Sequence, residues 1–511
     1  MEENHREFYS FNNNNNESIN NKLQKQRNTT SSLINKLIPS SNIIGNGRAF
    51  SSPFGERHIL YADYVASGRA LDQVEDFIRQ RVLPYYANSH TEASYCGSFM
   101  TELRKASREE VARMTGAGQG TSVVFTGAGS TSAINRLVSL LDLSGIIDRG
   151  KKAAVLVGPY EHHSNLLPWR ESGAEVIEIQ EGSQGGPCKK HLIQVLKDVA
   201  SAEIIVGAFS AASNVTGFMT DVNGVTSILK AYSAIAIWDY GCGAPYMSMS
   251  MKSDCNDSKD AIVFSPHKFL GGPGASGVMI VRDAVVRSLT PSLPGGGTVN
   301  FVSPWGHTYS DTIQRREEGG TPNILGDIRV ALAMLVKEAL GQDWIECRNK
   351  YLRKRASSIW ERNPRLEFMG GNQSPKLPIF SFRVRDGNGG YVHHQFFTRL
   401  LSDVAGVQAR GGCACAGAYA HRLLGINQEQ SAIIEQSLKN GNELEKPGWI
   451  RLNFSAIMTD DKVDRVISAV DDLALSAMNY QSCYHVDAKN ARFIPIWNNI
   501  NKGSDKTSGN N

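Results

Sequence analysis

The chain has 511 residues, with 54 Lys+Arg against 50 Asp+Glu and a formal net charge of +4, a near-balance that excludes nucleic-acid binding driven by bulk charge. Hydrophobic residues make up 41% and charged residues 20%, which excludes disorder throughout and gives a length sufficient for a large core. No apolar run reaches the roughly 18–20 residues needed to span a bilayer, and the eight cysteines form neither a regular disulfide spacing nor a paired zinc motif. No membrane span and no metal site are expected.

Residues 1–45 are rich in Asn and Ser, include the run Asn12 to Asn16, and lack apolar periodicity, so they read as a disordered tail. The polar residues 499–511 read the same way. The N-terminal stretch has no apolar core of a secretory signal, and Glu2, Glu3 and Glu7 are out of place in a mitochondrial presequence. With cysteine usage typical of a reducing compartment, a cytoplasmic location is expected.

Within the body, helical spacing first appears over 71–82, where Leu71, Val74, Phe77, Ile78 and Val82 share a face. A strand is expected over 122–126, then a helix over 132–141 with Ile134, Leu137, Val138 and Leu141 on one side. Short apolar runs at 153–157, 175–179, 204–209, 234–238, 261–265 and 277–281 follow, alternating with helical segments. That alternation predicts an α/β fold with a mostly parallel seven-stranded sheet covered on both faces. Farther on, a long helix over 328–349 leads to strands at 379–384 and 449–454 and helices at 391–401 and 460–474. The expected division is a large domain over 46–335 and a smaller α+β C-terminal domain over 336–498.

In such sheets ligands bind beyond the carboxyl ends of strands, which directs attention to three loops. After the first strand, Thr126-Gly-Ala-Gly-Ser-Thr-Ser opens a helix and offers an anion backbone N–H groups, hydroxyls and a favourable dipole. An N-cap serving only its own helix accounts for the same pattern. The strand at 234–238 delivers Asp239, and the next ends in Ser265-Pro266-His267-Lys268 before a Gly-rich turn. A lysine there, with desolvation or neighbouring charge to lower its pKa, suits Schiff-base chemistry. A phosphate cradle, a carboxylate for a ring nitrogen and a lysine nucleophile, in this order, meet the needs of pyridoxal 5'-phosphate.

Here the sequence resembles the class V aminotransferase and cysteine desulfurase family of fold-type I pyridoxal phosphate enzymes, over roughly 58–480. The matching stretches are Tyr-Ala-Asp-Tyr-Val-Ala-Ser-Gly from Tyr61, Glu-His-His-Ser-Asn from Glu161, Ser-Pro-His-Lys from Ser265 and Glu-Glu-Gly-Gly-Thr-Pro-Asn from Glu317. The resemblance implies that Lys268 bonds to the cofactor and shuttles the Cα proton, that Asp239 keeps the ring nitrogen protonated, and that His162 stacks on the ring. It also implies that Ser130, Thr131, Ser265 and His267 hold the phosphate and that Asn214 lies beside cofactor and substrate. Gly320 and Thr321 would complete the phosphate site of a neighbouring subunit, which implies a homodimer. Many relatives carry Gln three positions after the Asp, where this chain has Cys242.

The loop Val407-Gln-Ala-Arg-Gly-Gly-Cys-Ala-Cys-Ala-Gly resembles the desulfurase and sulfurase version, in which a Cys follows an Arg by about five positions. Cys415 stands there after Arg410, and Cys413 is its neighbour. A thiolate in that place is a nucleophile toward substrate sulfur, whereas small apolar packing is the structural alternative for both thiols. Arg451 matches the family's carboxylate-binding arginine, and Arg410 is a second substrate-binding candidate. The implied activity is removal of sulfur from L-cysteine, or selenium from selenocysteine, by way of a persulfide, with a sulfur-acceptor protein as a possible partner. A class V aminotransferase or other amino-acid lyase with a structural Cys loop is the alternative, and a dimeric non-enzymatic scaffold is a third.

Overall fold

A computed structural model describes residues 42–496 except 90, 252–257 and 372–374. Of the two expected tails, 1–41 and 499–511 lie outside the described residues. Seven strands form the main sheet: β1 (Thr121–Gly127), β2 (Ala153–Val157), β3 (Glu175–Glu178), β4 (Ile204–Ser210), β5 (Ile235–Asp239), β6 (Ala261–Phe264) and β7 (Gly277–Arg282), in the order β1-β7-β6-β5-β4-β2-β3. Every pairing is parallel except those of β7, which runs antiparallel to both β1 and β6. Alternate residues feed two cores, as a sheet covered on both faces requires. Ala236 and Trp238 of β5 enter one core, and Ile237 between them enters the other.

Among the helices are α1 (Tyr95–Thr115), α2 (Gly129–Leu140), α3 (Ile324–Leu340), α4 (Gln342–Trp360), α5 (His394–Ala405) and α6 (Asp460–Ser476). Three differences from the sequence expectations have local causes. The helix expected over 328–349 is two helices, parted at Gly341 with φ +83°. Leu340 and Ile345 are buried in one cluster on either side of that break, so the apolar spacing runs through it. The segment at 391–401 starts as a strand, Tyr391–Val392, and becomes helix only after His393, whose Nδ1 accepts a hydrogen bond from the Gln395 amide at 3.2 Å. The 71–82 segment is an α-helix over Asp72–Phe77 that widens into a π-helical turn over Ile78–Val82.

A second sheet contains β8 (Leu366–Phe368), β9 (Ile379–Arg385), β10 (Tyr391–Val392), β11 (Arg410–Gly412) and β12 (Trp449–Asn453), in the order β8-β9-β12-β11 with β10 pairing β9. Leu352 and Trp360 of α4, Phe397 and Leu400 of α5, and Val463 and Ile467 of α6 pack on it. Trp360 is fully buried and donates its indole N–H to the Ile467 carbonyl at 3.0 Å, which satisfies its one polar atom inside an apolar core. Leu60, Ala62 and Tyr64 join this same core, and Asp63 bridges to Asn453 of β12. The chain therefore crosses early from one sheet to the other, and that crossing delivers Asp63 to the site.

Candidate active site

Beyond the carboxyl ends of β1, β4, β5 and β6 lies a cavity of about 210 Å³, closed on its other side by residues of β11, β12 and the Cys loop. At its β1 end the backbone turns through Gly127 and Gly129, both at positive φ, into α2. The Ser130 amide donates to Ser265 Oγ at 2.9 Å, the two hydroxyls lie 3.1 Å apart, and Thr131 Oγ1 lies 2.6 Å from Ser164 Oγ. A Cβ on Gly129 would stand 2.7 Å from Ser265 Oγ and 3.1 Å from His267 Cε1, so this corner is shaped for close backbone approach. His267 is held neutral, its pKa pushed down to about 4 by burial and the Lys268 charge.

Lys268 ends a single 3-10 turn, Pro266–Lys268, directly after β6. The turn is clasped by two glycines. A Cβ on Gly68 would stand 1.8 Å from the Phe269 carbonyl oxygen, and one on Gly272 would stand 1.9 Å from that of Pro266. Burial pushes the Lys268 pKa down, opposed by Cys242 and Asp239. Asp239, at the end of β5, accepts the Gly241 N–H at 2.6 Å, and burial raises its pKa against that bond and the Lys268 charge. Cys242 is buried at the cavity wall, its thiol pushed up to about 11 by burial.

His162 caps a short 3-10 turn: its Nδ1 accepts the Ser164 amide at 3.1 Å. The same ring also lines the cavity. Burial, then the Lys268 charge, lowers its pKa to about 3, so the imidazole is neutral at physiological pH. The preceding Glu161 is buried and accepts from Ser210 N (2.9 Å), Ser210 Oγ (2.6 Å), Gly158 N (3.2 Å) and Asn165. Those bonds tie the His162 loop to the end of β4. Desolvation nevertheless raises the Glu161 pKa to about 7.

Across the cavity, Arg410 and Arg451 stand opposite one another on β11 and β12. Asp63 holds both, accepting from Arg410 Nε at 3.1 Å and Arg451 Nη2 at 3.0 Å. Arg451 Nη1 donates to the Asn214 carbonyl at 3.2 Å, while its Nε and Asn214 Oδ1 are buried without a partner. The Cys loop turns through Ala414 and Cys415, both at positive φ (55° and 54°) although neither is glycine. Such backbone persists only where its surroundings fix it. Asn214 Nδ2 donates to the Ala414 carbonyl (2.8 Å), the His163 amide to the Cys415 carbonyl (2.8 Å), and the Gly417 amide to His163 Nε2 (2.9 Å). Cys415 is exposed and lines the cavity, whereas Cys413 packs into the cluster of Tyr160, Val215, Tyr419 and Trp449.

The cavity thus gathers Ser130, Thr131, His162, Asn214, Asp239, Ser265, His267, Lys268, Arg410, Cys415 and Arg451. Thr321 is exposed, outside its lining. Sequence reasoning left Asp63, Glu161, Ser164 and Ser210 without roles. A lone acid inside the apolar run from Leu60 to Val65 was the available signal for Asp63, since a buried carboxylate needs a partner.

The Aminotransferase class-V family model matches residues 60–466. The chain belongs to that family. Among its relatives, a probable cysteine desulfurase of Vibrio cholerae is 26% identical over 416 residues, covering 81% of this chain and 93% of that protein. A probable cysteine desulfurase of Pyrococcus abyssi is 28% identical over 434 residues, covering 83% and 96%. The fold matches the apo structure of a cysteine desulfurase from Thermococcus onnurineus with a TM-score of 0.66 at 24% identity, covering 82% of this chain and 95% of that one.

Proposed function

We propose that the protein is a cysteine desulfurase that uses pyridoxal 5'-phosphate to convert L-cysteine to alanine, taking the sulfur onto Cys415. The observation that carries this reading is the meeting of Cys415 with Lys268, Asp239, His162 and Arg451 around one cavity, in a chain whose relatives bear that name. L-selenocysteine fits the same machinery.

The residues present fit the cofactor. Ser130 and Thr131 at the start of α2, with Ser265 and His267 after β6, would hold its phosphate, and the close approach at Gly129 leaves room for it where a Cβ would not. Asp239 would pair with its ring nitrogen, a role suited to a buried carboxyl in need of a cationic partner. The neutral imidazole of His162 would lie against its ring, and the unpartnered Oδ1 of Asn214 offers a further polar contact. When bound, the cofactor supplies an electron sink for bonds broken at the substrate's Cα and Cβ.

Around it the chain's own groups divide the work. Arg451 grips the substrate carboxylate. Lys268, its pKa lowered by burial, accepts the Cα proton on Nζ as a neutral amine. The Cys415 thiolate bonds to the substrate sulfur as the Cβ–S bond breaks. The electron pair of that bond stays with the substrate carbon, which leaves as alanine after protonation, and Cys415 is left as a persulfide for an acceptor thiol. The packing of Cys413 in an apolar cluster supports Cys415 as the nucleophile.

Two further parts of the reading rest on the resemblance, a homodimer in which Gly320 and Thr321 complete a second copy's phosphate site and a sulfur-acceptor protein, while a cytoplasmic location rests on cysteine usage typical of a reducing compartment. The two separate sheet cores support a large domain over 46–335 and a small one over 336–498, with the segment from Leu60 to Tyr64 packed into the second. Among the described residues no helix is long and apolar enough to cross a membrane. Light scattering tests the dimer, and a monomeric mass would contradict it. Alanine and sulfide formation from L-cysteine, lost in Cys415→Ala, tests the activity. Retained turnover with a keto-acid requirement would point instead to an aminotransferase.

A further inference from the structure

Arg410 and Arg451 are direct cross-strand partners on β11 and β12, a placement in which two like charges repel. Asp63 resolves that conflict. Its Oδ2 accepts from Arg410 Nε at 3.1 Å and its Oδ1 from Arg451 Nη2 at 3.0 Å, so one carboxylate fixes both guanidinium planes. The residue cannot easily shift, because its backbone bridges to Asn453 and its carbonyl accepts from the Ala66 amide at 2.9 Å and from Tyr61 Oη at 3.2 Å. Asp63 is 8% exposed and is not among the cavity's lining residues, whereas both arginines are. It acts on a ligand only through them.

We propose that Asp63 is a positioning residue that makes Arg410 and Arg451 a receptor with a single net positive charge, matched to an amino acid with one carboxylate rather than two. This rests on the proposed amino-acid substrate. Two guanidiniums and one carboxylate leave one uncompensated charge at the receptor. Asp239, the other anion lining the cavity, would be offset by the ring nitrogen of the bound cofactor, and Lys268 takes part as a neutral amine, so neither changes that count at the receptor. The donors left for a ligand are also defined. Arg451 Nε is buried and unpartnered, and among the described residues Arg410 engages Asp63 through Nε alone, leaving its terminal nitrogens. A second carboxylate on the ligand finds no second free charge at the receptor.

The test is equilibrium titration of the cofactor-loaded protein with L-alanine and with L-aspartate, followed by visible absorbance and by calorimetry, for wild type, Asp63→Asn and Asp63→Glu. Asp63→Asn releases both arginines and raises the receptor charge by one. L-Alanine affinity should fall at least about tenfold, and the preference for L-alanine over L-aspartate should shift toward L-aspartate by a similar factor. Asp63→Glu keeps the charge and should restore most of the preference. In turnover, KM for L-cysteine should rise while kcat changes by no more than about twofold, the split expected for lost ground-state binding. An unchanged preference in folded Asp63→Asn overturns the proposal. If that variant does not fold, Arg410→Gln replaces it: L-alanine binding should weaken about tenfold, and unchanged binding overturns the proposal equally. Binding of L-alanine and L-aspartate involves no sulfur transfer, so failure of the desulfurase reading leaves this readout intact, and the reverse.

Discussion

The glycine that ends the Tyr61–Gly68 stretch is a test of how tightly the chain positions Lys268. Gly68 is buried, and its amide donates to the His267 carbonyl at 2.8 Å. A Cβ there would stand 1.8 Å from the Phe269 carbonyl oxygen, 2.6 Å from its carbon and 3.1 Å from the Lys268 carbonyl carbon. All three are backbone atoms, so no side-chain rotation relieves the clash. To reach an ordinary contact of 3.4 Å the Lys268 turn and the Gly68 segment must separate by about 1.6 Å, and Gly272 clasps the turn from its other end. Overpacking of this kind costs roughly 1–3 kcal/mol. A displacement on the order of 1 Å at a reacting group costs about a hundredfold in rate. Gly68→Ala should therefore lose about two orders of magnitude in alanine formation from L-cysteine while unfolding in urea at a free energy lower by a few kcal/mol. Both are measured on the same preparation, with Gly306→Ala, where a Cβ meets nothing within 4 Å and the backbone is not at positive φ, as the control for a changed glycine elsewhere. Gly68→Ala with wild-type turnover and stability would refute the close-approach argument.

Two further predictions concern titration. Burial holds the Cys242 thiol up to about 11, while Cys415 is exposed; alkylation by iodoacetamide at pH 8, read by peptide mass spectrometry, should label Cys415 and leave Cys242 unmodified, and labelling of Cys242 in folded protein would contradict its assignment. Glu161 has a folded pKa raised to about 7 from 4.5, so its folded form retains a proton that the unfolded chain releases. Its contribution to stability is complete below about pH 4.5 and declines as pH rises through about 7, by about 3 kcal/mol in all. Unfolding free energies of wild type and Glu161→Gln at pH 5 and pH 8 should show wild type losing most of that relative to the variant, and a constant difference would contradict the buried-carboxyl assignment.

How much of this was legible beforehand depended on whether local chemistry or distant contacts decided it. The strands at 153–157 and 204–209 were legible because buried parallel strands are short continuous runs of Val, Ile, Leu and Ala bounded by polar turns. The reversed direction of β7 has no such mark in its own residues, although only 12 residues separate it from β6, at the short end for a parallel crossover. The break at Gly341 was hidden because apolar spacing continues on both sides of it. At the site, Lys268 and Asp239 were visible as charges at the ends of apolar runs. Asp63 and Glu161 lay in stretches already marked by resemblance, but the roles argued for them rest on partners brought in by the fold. Arg410 and Arg451 are 347 and 388 residues from Asp63, and Ser210 is 49 residues from Glu161. The packing of Cys413 among Tyr160, Val215, Tyr419 and Trp449, which supports the position of Cys415 after Arg410, also comes from the fold, as does the turn at Ala414 and Cys415, where positive φ at non-glycine residues carries no sequence signature.

The most direct test of the account is the measurement of alanine and sulfide formed from L-cysteine by the cofactor-loaded protein in the presence of a dithiol, with Cys415→Ala and Cys413→Ala beside it. The account predicts both products in equal amounts from wild type and from Cys413→Ala, and neither from Cys415→Ala. Products undiminished in Cys415→Ala, or no alanine from wild type while its visible spectrum still responds to other amino acids, would contradict it.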